Sequence, residues 1–177
     1  MRRNFINGEI EGIQEVYWEE GQVYSKYKFK NGKVEDGYYE SYYKNGDISS
    51  KGSYVNGLND GYFISYDENG DIRRKSFHED GEEEWSEIYY EGKLQMKIFY
   101  KGGETVQSNM YLRGVLVSET EYKDNERYFE KYYLNGKHHS NTTYLGKYTL
   151  KEYLYENGDT TCRDENSMEV NLSFCEI

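Results

Sequence analysis

Turn glycines recur along this chain so closely that only short strands fit between them. Gly21, Gly46, Gly70, Gly92, Gly114, Gly136 and Gly158 form one series, at steps of 25 and 24 and then a constant 22. Gly8, Gly32, Gly57, Gly81 and Gly103 form a second, which continues at Asn125 and loosely at Gly146. Gly21 to Gly32, Gly46 to Gly57, Gly70 to Gly81 and Gly92 to Gly103 are each separated by 11 residues, so every repeat splits into two half-units. Most of these glycines follow Asn, and Gly21, Gly81 and Gly92 follow Glu or Asp. Such pairs tolerate the positive φ that tight hairpin turns need. The segments between them hold about seven residues of alternating aromatic and polar character, which is strand length and too short for a 3.6-residue apolar rhythm. The chain has no proline, which would remove a ladder donor. The expected fold is all-β: an elongated, single-layer antiparallel meander of repeated hairpins, twisted or curled.

Composition favours a repeat array over a domain with a deep core. Hydrophobic residues make up 36% of the chain with its 22 tyrosines included, and the mean hydropathy is -1.08. A disordered chain would be poor in aromatics and often rich in proline, whereas 18% of this one is aromatic. In a repeat array each unit buries its surface against its neighbours.

The clearest copy runs from Asp36-Gly37 through Tyr38, Tyr39, Tyr42 and Tyr43 to Asn45-Gly46, then through Tyr54 to Asn56-Gly57; a second runs from Asp60-Gly61 to Asp80-Gly81. These units resemble MORN-type repeats, in the variant form of bacterial proteins: a D-G-x-(aromatic)-x-x-Y-Y-x-N-G half followed by a half that closes on Y-x-N-G. The resemblance extends from Phe5 to Gly158. It implies a β-hairpin repeat fold and an interaction module without a shared catalytic residue, and some variant-repeat proteins are antitoxin-like. Around Glu82-Glu83-Glu84-Trp85 the Asp-Gly opening gives way to an acidic run, and from there the period is 22. Residues 1–158 therefore read as the array, and 159–177 as a polar loop followed by a capping strand with Met168, Val170, Leu172 and Phe174 on one face.

Tyr89, Tyr100, Tyr111, Tyr122, Tyr133, Tyr144 and Tyr155 follow one another at steps of 11. Across even loops an odd step keeps a residue on its face, so all seven are expected on one face. Five stand three residues before a turn glycine, Tyr122 three before Asn125 and Tyr144 two before Gly146, which divides them into two rows: Tyr89, Tyr111, Tyr133 and Tyr155, and Tyr100, Tyr122 and Tyr144. Members of a row lie two strands apart, roughly 10 Å. A second series, Tyr17, Tyr42, Tyr66, Ile88, Met110, Tyr132 and Leu154, is expected on the other face. Tyrosine suits a half-buried strand, and it also offers amphipathic contact area at interfaces. The ladder is thus the candidate binding strip.

Formal charge narrows the partners. At -11 with pI near 4.8 the chain repels nucleic acid and anionic membrane, so the expected partner is another protein of basic character. Membrane lipid binding is the alternative the resemblance raises, and it would need basic residues gathered on one face. No phosphate loop, nucleophile elbow or spaced calcium loop is present, and the reading is non-enzymatic, with no cofactor and no metal. His138 and His139 are adjacent on a strand and poorly placed to share an ion. Cys162 and Cys175 could form one disulfide, or stay reduced in a cytoplasmic protein. The start leads into repeat-like sequence without an apolar run, so no signal peptide or membrane span is expected.

Overall fold

The computed structural model describes the main chain of residues 4–145, 148–154 and 160–164, and side chains as far as Tyr144. Strands account for most of these residues, and no helix occurs among them, as the turn spacing demands. The capping strand expected after residue 166, Tyr155 and Cys175 lie outside the described residues. Two compact units are present, Met1–Lys93 and Leu94–Ile177.

The first unit opens with a two-residue pair, β1 (Phe5–Ile6) and β2 (Glu9–Ile10). Then come β3 (Gly12–Tyr17), β4 (Val23–Lys30), β5 (Lys33–Val34), β6 (Gly37–Tyr42), β7 (Ile48–Val55), β8 (Leu58–Asn59), β9 (Gly61–Tyr66), β10 (Ile72–Glu79) and β11 (Glu82–Tyr90). They pair antiparallel in chain order; β5 and β6 share β4 as partner, and β8 and β9 share β7.

That sharing explains the Asp-Gly signature. After each tight turn the returning strand pairs for two residues, breaks, and resumes at a glycine with positive φ: Gly12 at 75°, Gly37 at 139° and Gly61 at 85°. An L side chain is strained there, so the opening residue is glycine. The acid before it serves the next repeat. Glu11 accepts the Asn31 N–H (2.8 Å), and Asp36 accepts the Asn56 N–H (2.6 Å). Main-chain bonds from Gly32 N–H to Ile10 and from Gly81 N–H to Asn59 complete the stitching between successive turns. At the far ends of the strands Trp18 Nε1 donates to the Tyr42 carbonyl (3.3 Å) and the Tyr43 hydroxyl to that of Tyr66.

Asn-Gly pairs serve two kinds of turn. At Asn7-Gly8, Asn31-Gly32 and Asn56-Gly57 both residues have positive φ, the two-residue hairpin turn the sequence predicts. At Asn45-Gly46 and Asn69-Gly70 only the glycine does. There the glycine N–H bonds back three residues, to Tyr43 or Asp67, in a longer loop that Asp67 Oδ1 stabilises by accepting from Asn69 and Asp71.

The second unit is the simpler meander of β12 (Lys93–Lys101), β13 (Glu104–Leu112), β14 (Val115–Lys123), β15 (Glu126–Leu134), β16 (Lys137–Leu145), β17 (Tyr148–Leu154) and β18 (Thr160–Asp164). Its turns Gly102-Gly103, Arg113-Gly114, Asp124-Asn125 and Asn135-Gly136 are all of the two-residue, positive-φ kind. Without an Asp-Gly opening the strand runs unbroken, and the irregularity shrinks to one bulged residue. The change begins at β11, where Glu83-Glu84 occupy the opening and the register shifts between Phe77 and His78. Losing the longer loop and the broken strand together shortens the repeat to 22.

Candidate functional site

Those bulges overturn the expectation that the tyrosines share a face. In the hairpin β12–β13, Lys101↔Glu104 and Tyr100↔Thr105 pair across a two-residue loop, and then Val106 is skipped so that Phe99 meets Gln107. Val117, Tyr128 and His139 are skipped in the same way in the next three hairpins. One extra residue changes the parity of the pairing, and a step of 11 then reverses the face. Tyr100, Tyr122 and Tyr144 lie on one side of the second unit, and Tyr111 and Tyr133 on the other. Side-chain bonds mark the split: the Tyr122 hydroxyl meets Ser108 Oγ (3.2 Å) and that of Tyr144 donates to Glu130 Oε2 (2.8 Å), whereas Tyr133 donates to Glu119. Among the described residues of the second unit, the two rows therefore occupy opposite faces.

All six described ladder rings, from Tyr89 to Tyr144, are half-buried. Glu130, only 6% exposed, gathers the hydroxyls of Tyr132 and Tyr144 at 2.8 Å each and Thr120 Oγ1 at 3.2 Å, with Arg127 Nη1 4.0 Å away. Burial, and then the bond to this carboxylate, pushes both phenols above their usual pKa. On Tyr133 the bond to Glu119 comes first and burial second. Such hydroxyls are committed within the fold.

In the first unit one face is lined by serines: Ser25↔Ser41, Ser41↔Ser50 and Ser50↔Ser65 are direct cross-strand pairs, as is Ser76↔Ser86. Ser25, Ser41, Ser76 and Ser86 are buried. Beside them runs an aromatic column, Tyr27–Tyr39–Tyr54–Phe63–His78, with centroids 5.0, 6.1, 5.6 and 5.2 Å apart in that order. Small serines in the centre let these rings close over the sheet, and the column is the core of the unit. His78 Nε2 lies 3.1 Å from Ser76 Oγ, a pairing with the chemistry of a nucleophile and base. Both side chains are buried, and His78 Nδ1 meets no acid that would orient the ring, so the pair is a packing element.

The opposite face carries alternating charge. Register places Glu15, Lys26, Glu40, Lys51, Ile64, Lys75 and Glu87 in one row across the strands, with opposite signs adjacent except at Ile64. Flanking it are Tyr17, Tyr42, Tyr66 and Tyr89; Tyr17 donates to Glu15, Tyr42 to Glu40 and Tyr89 to Glu87. Lys26 Nζ lies 5.4 Å from the centroid of Tyr42, and Lys51 Nζ 5.5 Å from that of Tyr66. Partial burial, with the neighbouring carboxylate second, pushes the Tyr42 and Tyr89 phenols up to about 12. The Tyr66 hydroxyl raises the Lys51 ammonium.

On the other flank of the charge row lies the surface that sequence reasoning missed. Ile13, Tyr38 and Tyr62 each follow a repeat-opening glycine and point to this face, where Tyr38 is 79% and Tyr62 53% exposed. Phe77 pairs directly with both Tyr62 and Trp85, and the three rings lie 5.3 to 6.3 Å apart. The signal was the x of D-G-x-(aromatic): the aromatic after it, Tyr39 or Phe63, belongs to the buried column, so x must face away. Among the described residues no group of three His, Cys, Asp or Glu could hold a metal. An open groove of about 910 Å³ lies between the Asn31 and Asn56 turns.

Comparison with known proteins places three stretches, residues 10–31, 35–56 and 59–80, in the MORN repeat variant. No curated protein matches the chain. Among solved structures it is similar to a GtfA/B complex bound to UDP and GlcNAc, at 14% identity and a TM-score of 0.44 over 64% of this chain. It is also similar to accessory secretory protein 1,2 and 3 of Streptococcus pneumoniae, at 14% identity and a TM-score of 0.20 over 85% of this chain. The chain spans only 25% and 19% of the length of those two chains.

Proposed function

The chain carries three consecutive repeats of the MORN variant between residues 10 and 80, and from that premise we propose that it is a non-enzymatic protein-interaction scaffold whose charged, aromatic face in the first unit receives another protein. Repeats of this kind are in general protein or membrane interaction modules. The observation that carries the reading is the exposure of Tyr38 and Tyr62 at the same repeat position on one face, where Tyr62 adjoins Phe77 and Trp85, since apolar side chains gathered on one exposed face mark interaction surfaces. Twenty of the 33 acidic residues, against 12 of the 22 basic ones, lie between Met1 and Lys93, which favours a basic partner. Neutralisation of a basic toxin in the cytoplasm is one such role.

Crosslinking and affinity capture from the native cell test the proposal. Tyr38→Ser with Tyr62→Ser should lower capture while leaving the melting curve in place, and capture should weaken with salt. Tyr111→Ala with Tyr133→Ala tests the ladder as the contact: a loss of binding larger than the loss of stability would move the site there. Capture unchanged by either pair refutes binding through these tyrosines, and co-sedimentation with anionic liposomes at low salt would favour the lipid reading instead.

A further inference from the structure

Beyond a general docking face, and resting on that reading, we infer that Tyr62, Phe77 and Trp85, with Glu79 and Glu82, form a clamp for an arginine side chain of the partner. The Phe77 and Trp85 rings are stacked at 14°, and Tyr62 stands at 66° and 67° to them. Lys75 shows what these rings accept: its ammonium sits 4.8 Å from the centroid of Tyr62 and 5.7 Å from that of Trp85. Ring faces attract cations through their quadrupole, and a planar guanidinium adds stacking to that attraction.

Next to the rings the fold sets two negative charges against each other. Glu79 and Glu82 are direct cross-strand partners at the end of the β10–β11 hairpin. Like charges so placed are destabilising. Both are exposed, and neither has an ion pair among the described residues; Arg74, which Glu83 engages, lies on the opposite face. Residues two apart on a strand share a face, so Glu79 follows Phe77 on the aromatic side, and Glu82 is its partner there. Rings that take a cation thus border a carboxylate pair that lacks one. An arginine entering from the partner stacks on Tyr62 and Trp85 and directs its fork at the two carboxylates, displacing Lys75 from the rings.

A Trp18→Phe background leaves Trp85 as the only tryptophan and makes its emission the probe. Titrating the full chain with a peptide of alternating glycine and arginine should change that emission, with a Kd about fivefold tighter than for the matching glycine-lysine peptide. Tyr62→Ala, and separately Glu79→Gln with Glu82→Gln, should each remove most of that preference, and Lys75→Met should tighten arginine binding. Equal affinity for the two peptides, or a preference untouched by Tyr62→Ala, overturns the clamp. Tyr62 is largely exposed, so its truncation leaves the fold intact, which the melting curve verifies. If the clamp variants still capture the native partner while Tyr38→Ser does not, the clamp falls and the scaffold stands.

Discussion

Gly52 offers the sharpest test of how the first unit is built. It is buried, opposite Tyr39 in the β6–β7 pairing, and its φ is one that any residue adopts. What requires glycine is the ring above it: a Cβ there would stand 2.3 Å from Phe63 Cε1 and 2.4 Å from Cδ1. A real contact is more than 1 Å longer, so in Gly52→Ala the ring must swing away. It cannot do so without leaving Tyr54 at 5.6 Å and His78 at 5.2 Å, which are its two neighbours in the column. Overpacking of this kind costs about 1 to 3 kcal/mol, and two weakened ring pairs add about 1 kcal/mol, for an expected loss near ~3 kcal/mol. Urea unfolding followed by tryptophan emission measures it. The decisive comparison is a double-mutant cycle with Phe63→Val, which takes away the obstructing ring. Phe63→Val alone should cost about 3 kcal/mol, but Gly52→Ala added to it should cost less than about 0.5 kcal/mol. Additive losses would mean that the alanine acts through the backbone, and the account of the column would be wrong.

Three further outcomes follow from the same contacts. Asp36→Ala removes the acceptor of the Asn56 N–H, so stability should fall by about 1 kcal/mol and the Asn56 amide should exchange faster, while Asp71→Ala, outside the repeat-opening position, should leave that amide unchanged. Tyr132→Phe with Tyr144→Phe takes two donors from the buried Glu130; a loss of about 2 to 3 kcal/mol is expected in denaturant titration, and Glu130→Gln in the double variant should recover part of it. Tyr42 and Tyr89 have folded pKa values of about 12, above the ordinary phenol value of 10.0. Their contribution to stability is therefore complete below pH 10 and is lost as pH rises to 12. Absorbance titration near 295 nm should show this late step, and Glu40→Gln should move the Tyr42 part of it downward, though not to the unburied value.

Much of the fold is local chemistry and was legible as such. Asn-Gly and its substitutes dictate where the chain reverses, because few other pairs accept the required φ, and the interval between reversals fixes strand length. The Asp-Gly opening was visible as a motif, but its reason was not: the glycine restarts a broken strand, and the acid holds a turn 20 residues onward. The candidate site was harder to see. Tyrosines at a constant step drew notice as a possible surface, yet Tyr122, Tyr133 and Tyr144 spend their hydroxyls on Ser108, Glu119 and Glu130, while the exposed rings Tyr38 and Tyr62 sit at a position where the first repeat has Ile13.

The sequence alone determined the turns, the antiparallel order and the half-unit of 11, since each depends on residues close in the chain. Only the tertiary structure decided which face each side chain takes. That choice belongs to the pairing between strands: the residue skipped after each turn, Val106, Val117, Tyr128 or His139, reverses the parity that the loop alone would give. It turns a single ladder of tyrosines into two opposed rows.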